Sequence, residues 1–196
     1  MLSGCFGFGS KENVKDDTPH YFVIDVSRGN VATEFAKDRI LRLSPVRVTS
    51  IYRGKTFVFR VGENEYRPQP PNEFFTAPSE MITEQLRRWL EKTGLFTRVV
   101  TANDVPADMV LDTAVTALYG EQRDQFSPQA VIEMQFFLMS IDPNNTKPLF
   151  QTGLRVDVDI EKSTAENVVK GWQQGLEELL WTLEDDFSGY FTKLNP

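Results

Sequence analysis

The side chains that most often carry covalent, acid–base or metal chemistry are scarce in this chain: Cys5 is the sole cysteine and His20 the sole histidine of 196 residues. A zinc site draws on several Cys and His ligands, and a nucleophilic dyad needs its histidine held against a Ser or Cys. The zinc cage cannot be supplied. His20 stands in Thr18-Pro19-His20-Tyr21, at the entry to a strand and without a nucleophile motif beside it, so it is taken as a surface histidine. Asp157 and Asp159 are a carboxylate pair with a spacing that could serve acid–base work, because residues two apart on a strand share a face. They alternate with Leu154, Val156, Val158 and Ile160, which is the pattern of a strand with one wet face. No catalytic residue, metal ligand or cofactor is therefore expected, and the chain is read as a non-enzyme.

Composition narrows the partners. Lys and Arg number 21 against 28 Asp and Glu, a net charge of −7, with no basic run anywhere. That balance opposes a phosphate backbone and an anionic lipid surface, both of which are bound through basic clusters and released counterions. Nucleic acid is excluded as a partner. Fifteen Phe and a charged fraction of 25% describe a chain with a folded core. No stretch reaches the ~18–20 apolar residues needed to span a bilayer.

The sole cysteine sits in Leu2-Ser3-Gly4-Cys5, which resembles the lipobox of bacterial lipoproteins: an aliphatic residue, two small residues, then the Cys that receives a diacylglycerol. Small residues suit a peptidase that grips an extended chain. The charged and apolar segments that precede a lipobox are not in the sequence, so the natural start is expected upstream. Lipidation at Cys5 implies stable anchoring, since a single acyl chain alone is marginal. The next residue is Phe6 and not Asp, which favours the periplasmic side of the outer membrane. Residues 6–18 are rich in Gly, Ser, Lys and Asp, a linker composition with a coil reach of roughly 20 Å. The expected organisation is a lipobox remnant and flexible tether over 1–18 and a single domain over 19–196.

The elements of that domain follow from periodicity. Strands are expected at Tyr21 to Val26, at about Arg39 to Ser50 across a Pro45 irregularity, and at Thr56 to Val61. The Gly62-Glu63-Asn64 turn returns the chain through Glu65 to Arg67 as a hairpin, stopped by Pro68, Pro70 and Pro71. Ile82, Leu86, Trp89 and Leu90 mark a helix capped by Gly94, with a short strand after it. Three long strands follow, at about Met109–Tyr119, Ala130–Ile141 and Gln151–Ile160, separated by turn-rich segments. A long helix from Ala165 to about Phe187 closes the chain, with Ser163 and Glu166 as a capping box. The fold class expected is α+β: a single mixed, mostly antiparallel sheet with two long helices packed on one face. Residues 161–196 hold seven acids and three bases, a net of −4, which marks either a solvated helix face or an acidic docking face for a basic partner.

Taken in order, the lipobox Cys5, the linker, Tyr21-Phe22-Val23-Ile24, the lead-in Asn72–Pro78 with its helix through Gly94-Leu95-Phe96, the meander and the terminal helix resemble the ABC-type transport auxiliary lipoprotein family. The family lead-in commonly carries an aromatic, often Trp, before small residues and Pro; here Phe75 stands there, ahead of Thr76-Ala77-Pro78. The resemblance implies a periplasmic, outer-membrane-tethered component of a lipid transport system. It implies as partners an inner-membrane ABC-type or related transporter component and a mammalian-cell-entry (MCE) domain protein, with docking or homo-oligomer formation as the role.

Candidate partner contacts are Phe74, Phe75 and Pro78, since aromatics exposed among polar residues mark contact surfaces. The competing reading makes both Phe a staple between helix and sheet. An alternative function is a periplasmic lipid or small-molecule binding module with its own pocket, built around the Phe- and Met-rich strand Met134–Met139.

Overall fold

Alternation organises the centre of the molecule. In the computed structural model, which describes residues 18–194, β7 (Met109–Glu121), β8 (Gln129–Ser140) and β9 (Pro148–Asp159) form an antiparallel meander. On β8, Ala130, Ile132, Met134, Phe136 and Leu138 are fully buried, while Glu133, Gln135 and Phe137 point the other way. One face of the sheet is therefore covered by a helix, and the other is open over Glu133, Gln135 and Phe137 but closed where Val131 and Tyr119 are buried. The cover is α2 (Ala165–Leu194), whose Gly171 and Gly175 lie directly on Ala130 and Ile132.

Shorter strands line the other side of β7: β2 (Ile40–Leu43), β3 (Arg47–Val48) and β4 (Thr56–Arg60) all pair with it in parallel, each at its own level. β5 (Tyr66–Phe74) returns antiparallel to β4, β1 (His20–Phe22) adds in parallel to β5, and β6 (Arg98–Val100) adds in parallel to β2. The result is one nine-stranded mixed sheet. The helix α1 (Pro78–Leu90) packs beside α2, with Trp89 edge-on to Trp181 at 5.1 Å.

One part of the expected fold is corrected: there are not two long helices, since α1 has 13 residues and only α2, with 30, is long. The mixed sheet is antiparallel along its long ladders, β7 with β8 and β8 with β9, while its parallel pairings are short. Those parallel strands are far apart in sequence and return to β7 after crossovers, which local periodicity does not show.

Local corrections have local reasons. Pro45 does more than bulge a strand: it separates β2 from β3, which meet β7 independently. Pro68, Pro70 and Pro71 do not stop β5. Pro68 pairs opposite Val58, the register then jumps so that Glu73 faces Thr56 of β4, and Asn72 to Phe74 pair with β1 on the other side; prolines are tolerated at such irregularities. Beyond Phe22 the chain leaves the sheet. Ile24 and Val26 stay buried, but their amides donate to Met81 Sδ (3.2 Å) and Gln85 Oε1 (3.0 Å) of α1. The strand-like alternation is genuine, and its partner is a helix.

Helix ends shift as well. The cap of α1 is Glu91; Gly94 lies three residues on, at φ +75°, where a Cβ would sit 2.3 Å from the Glu34 carbonyl oxygen. The N-cap of α2 is Thr164, whose hydroxyl accepts from the Asn167 amide, while Ser163 donates to the Glu121 carbonyl at 3.0 Å.

The contact of α2 with β8 makes a sharp prediction. A Cβ on Gly171 would lie 2.4 Å from Ala130 Cβ, and Gly→Ala inside a helix otherwise gains about 1 kcal/mol of propensity. Overpacking of about 1–3 kcal/mol outweighs that gain. Gly171→Ala is expected to destabilise in a denaturant titration, and Ala130→Gly in the same chain is expected to recover much of the loss.

Candidate functional site

The sequence-derived candidates separate once placed. Phe74, the last residue of β5, turns into the core against Phe57 (4.6 Å) and Trp172 (5.4 Å), and Phe75, the next residue, turns out, 62% exposed. Pro78 is buried at the start of α1. Phe75 has a neighbour that periodicity alone did not single out: Tyr21 of β1, 56% exposed, meets it edge-on at 6.0 Å. The pair is held by backbone, with the Phe75 amide donating to the Phe22 carbonyl (2.9 Å) and Lys55 Nζ donating to the Phe75 carbonyl (3.0 Å). It is an exposed aromatic edge beside the point where the N-terminal segment enters the sheet. Cys5 and the rest of the lipobox lie outside the described residues.

The helix-free face of the sheet carries a second cluster. Arg155 of β9 reaches Glu133 (3.3 Å), Asp157 (3.0 Å) and the Tyr119 hydroxyl (3.3 Å), and Thr116 donates to Glu133 at 2.7 Å. Tyr119 in turn packs against Tyr52 and Tyr66. Burial, reinforced by Tyr66, pushes the Tyr52 phenol well above its ordinary range. Asp157 and Asp159 do not act on one another: Asp157 is taken by Arg155, and Asp159 accepts from Gln129 Nε2 at 2.9 Å. The acid–base reading of that pair has no geometry behind it. His20 is exposed at the start of β1.

At the rim, Glu121 and Arg123 are buried together in a paired contact (2.9 and 2.8 Å), and the guanidinium lies 4.0 Å from the Phe126 ring. Burial raises the Glu121 carboxyl, but the hydrogen bonds and charge of Arg123 outweigh it and hold it below the usual range. On the opposite side, Arg28 clamps Glu184 of α2 through two bonds (2.8 and 2.7 Å), and the Trp89 indole donates to the same carboxylate at 3.1 Å. These contacts pin the 23–39 segment across both helices.

Hollows in the surface are small or polar. Met134, Phe136 and Leu138 are packed beneath α2, and the hollow on their strand opens on the other face, about 290 Å³, lined by Gln135, Phe137, Gln151, Thr152 and Gly153. A larger crevice of about 540 Å³ has Lys37, Asp38 and Arg39 on one wall and Met109, Phe191 and Leu194 on the other. Among the described residues no helix is long and apolar enough to cross a membrane.

A mixed sheet covered on one face by a long terminal helix, with an aromatic edge and a polar open face, defines a domain that offers surfaces to other molecules. Known proteins share this arrangement. The chain belongs to the ABC-type transport auxiliary lipoprotein component family, whose model matches residues 22–183. It is thus a lipoprotein-family member of the cell envelope, associated with ABC-type transport. A crystal structure from Xanthomonas campestris has the same fold, with a TM-score of 0.75 at 13% identity over 90% of this chain and 99% of that one. A second, of an uncharacterised protein, gives 0.65 at 16% identity over 86% and 97%. A hypothetical protein from Chlamydia trachomatis gives 0.51 at 9% identity over 77% and 98%. No curated protein matches the sequence.

Proposed function

We propose that this protein is a non-enzymatic docking lipoprotein, tethered through Cys5 to the periplasmic face of the outer membrane. In this reading it receives the outer end of an MCE-domain conduit that an inner-membrane ABC-type transporter component feeds with lipid. Residues 1–18 act as the tether and 19–196 as the docking domain, in one copy or several. The observation that carries the reading is the family match over residues 22–183. The lipobox sequence at Cys5 supports the anchor, and the exposed Phe75 beside Tyr21 supports the docking edge, since aromatics anchor interfaces.

The test joins anchor and edge. The chain is expressed in its native bacterium behind a signal peptide, with a photo-crosslinking amino acid at position 75. Mass spectrometry is expected to find a mature N-terminus at Cys5 carrying acyl chains, and irradiation is expected to capture an MCE-domain protein. Cys5→Ser should abolish the acylation and release the protein from the membrane fraction. An unmodified N-terminus in the cytoplasm would sink the anchor. Copurifying lipid with no captured partner would favour a cargo-binding module instead.

A further inference from the structure

The outer edge of β9 is twelve residues long and, among the described residues, makes no backbone hydrogen bond beyond its pairing with β8. The Ile160 amide donates to the Pro128 carbonyl, continuing the ladder in which Ala130 faces Val158 and Ile132 faces Val156. Antiparallel pairs alternate between bonded and non-bonded, so even-numbered residues of β9 bond to β8. The odd-numbered Gln151, Gly153, Arg155, Asp157 and Asp159 turn their N–H and C=O groups outward.

We propose that this edge pairs with the β9 edge of a second copy, antiparallel about a two-fold axis at Val156. The edge is self-complementary in that register. Arg155 of each copy then stands opposite Asp157 of the other, twice, as bonded pairs; Gly153 stands opposite Asp159. On the helix-covered face Val156 meets its own equivalent and Leu154 meets Val158, which covers the half-buried Leu154 and Val156. Other registers lose this match. An axis at Arg155 sets Arg against Arg, one at Leu154 sets Arg155 against Gly153, and one at Asp157 sets Asp against Asp; like charges directly opposite destabilise a strand pair. Axes between residues would bring outward groups against groups already spent on β8.

The pairing also closes. An isologous contact consumes both β9 edges. Among the described residues the other strands with a single partner, β1, β3 and β6, have two or three residues each, too short to template further growth, and the stretch of β5 that β1 leaves open carries Pro68, Pro70 and Pro71, which cannot donate to a ladder. This inference does not depend on the transport reading, and either can fail alone.

The test uses the unacylated full chain under reducing conditions, followed by sedimentation equilibrium across a concentration series, with a thermal melt of each variant to confirm folding. The expected result is a reversible dimer. Arg155→Asp and Asp157→Arg should each weaken it by about tenfold or more, since each sets two like charges opposite one another, and the double variant should restore it. Gly153→Pro removes an outward amide only, a change an edge strand tolerates, and should weaken the dimer without lowering the melting temperature. A monomer at every concentration, or an oligomer insensitive to all of these variants, overturns the proposal.

Discussion

Trp172→Ala is expected to cost about 3–5 kcal/mol, the range for truncating a fully buried large aromatic. No solvent reaches Trp172, and its position explains the size of the effect. The ring lies edge-on to Phe57 of β4 at 5.1 Å and against Phe74 of β5 at 5.4 Å. Its indole N–H is shared between the Tyr119 carbonyl of β7 (3.3 Å) and the Val131 carbonyl of β8 (3.1 Å). One side chain of α2 thus touches four strands, two in the meander and two in the region of parallel additions. Truncation opens a cavity where the two regions of the sheet meet, and the loss is a large share of the ~5–15 kcal/mol that holds a typical domain. For a chain of this size the melting temperature should fall by about 10 °C or more. Trp172→Phe keeps the ring and loses the indole donor, so it should fall between wild type and Ala. Equal melting temperatures for wild type and Trp172→Ala would show that α2 is not what joins the two regions.

What could be read from the sequence, and what could not, divides along the same physical line. The meander and α2 were legible because each carries its own period over ten or more residues, with turn residues between. Parallel pairing left no such mark. β2, β3 and β4 are two to five residues long, and their direction is set by crossovers that composition does not encode. β5 was hidden by its prolines, since the rule that proline ends a strand gives way where the register itself jumps. The cap of α2 was missed by one residue because Ser163 and Thr164 are adjacent hydroxyls and Glu166 suggested the capping box for the wrong one.

Among the contact candidates, what separates Phe74 from Phe75 was hidden with β5: Phe74 is the last residue of that strand and Phe75 the first beyond it, and the pairing with β1 and β4 decides which of them turns inward. The same holds for Tyr21 and Arg155. Each gains its meaning from a strand distant in sequence, Tyr21 from Phe75 across the β1–β5 pair and Arg155 from Glu133 and Tyr119. The lipobox was wholly a matter of sequence, and the outward edge of β9 wholly a matter of register.

Glu184→Ala should have the other large effect, and by a different mechanism. The carboxylate is nearly buried, holds the Arg28 guanidinium through two bonds and accepts the Trp89 indole. Arg28 also donates to the Asn30 carbonyl and lies 5.4 Å from the Trp181 ring. Truncation leaves a guanidinium without its counter-charge and an indole N–H without an acceptor, both in a half-dry site. Breaking one partner of a buried pair costs about 3–5 kcal/mol, more than the intact pair contributes. The loss should be local before it is global. Residues 23–39 are otherwise tied to α1 and to the loop after it by a few bonds, among them Ala32 to the Lys92 carbonyl (2.9 Å) and Ala36 to the Gly94 carbonyl (2.8 Å). Limited proteolysis of Glu184→Ala is expected to cut first within this segment, whose Arg28 and Lys37 suit trypsin, and hydrogen exchange there should rise. Glu184→Gln retains an acceptor for Trp89 and for one Arg28 donor, so its cost should be smaller. Arg28→Met with Glu184→Leu removes both charges together and should be better tolerated than Glu184→Ala, because no charge is left stranded. If Glu184→Ala melts with wild type and resists trypsin equally, the clamp is a surface contact of no consequence, and the segment is held by its backbone bonds alone.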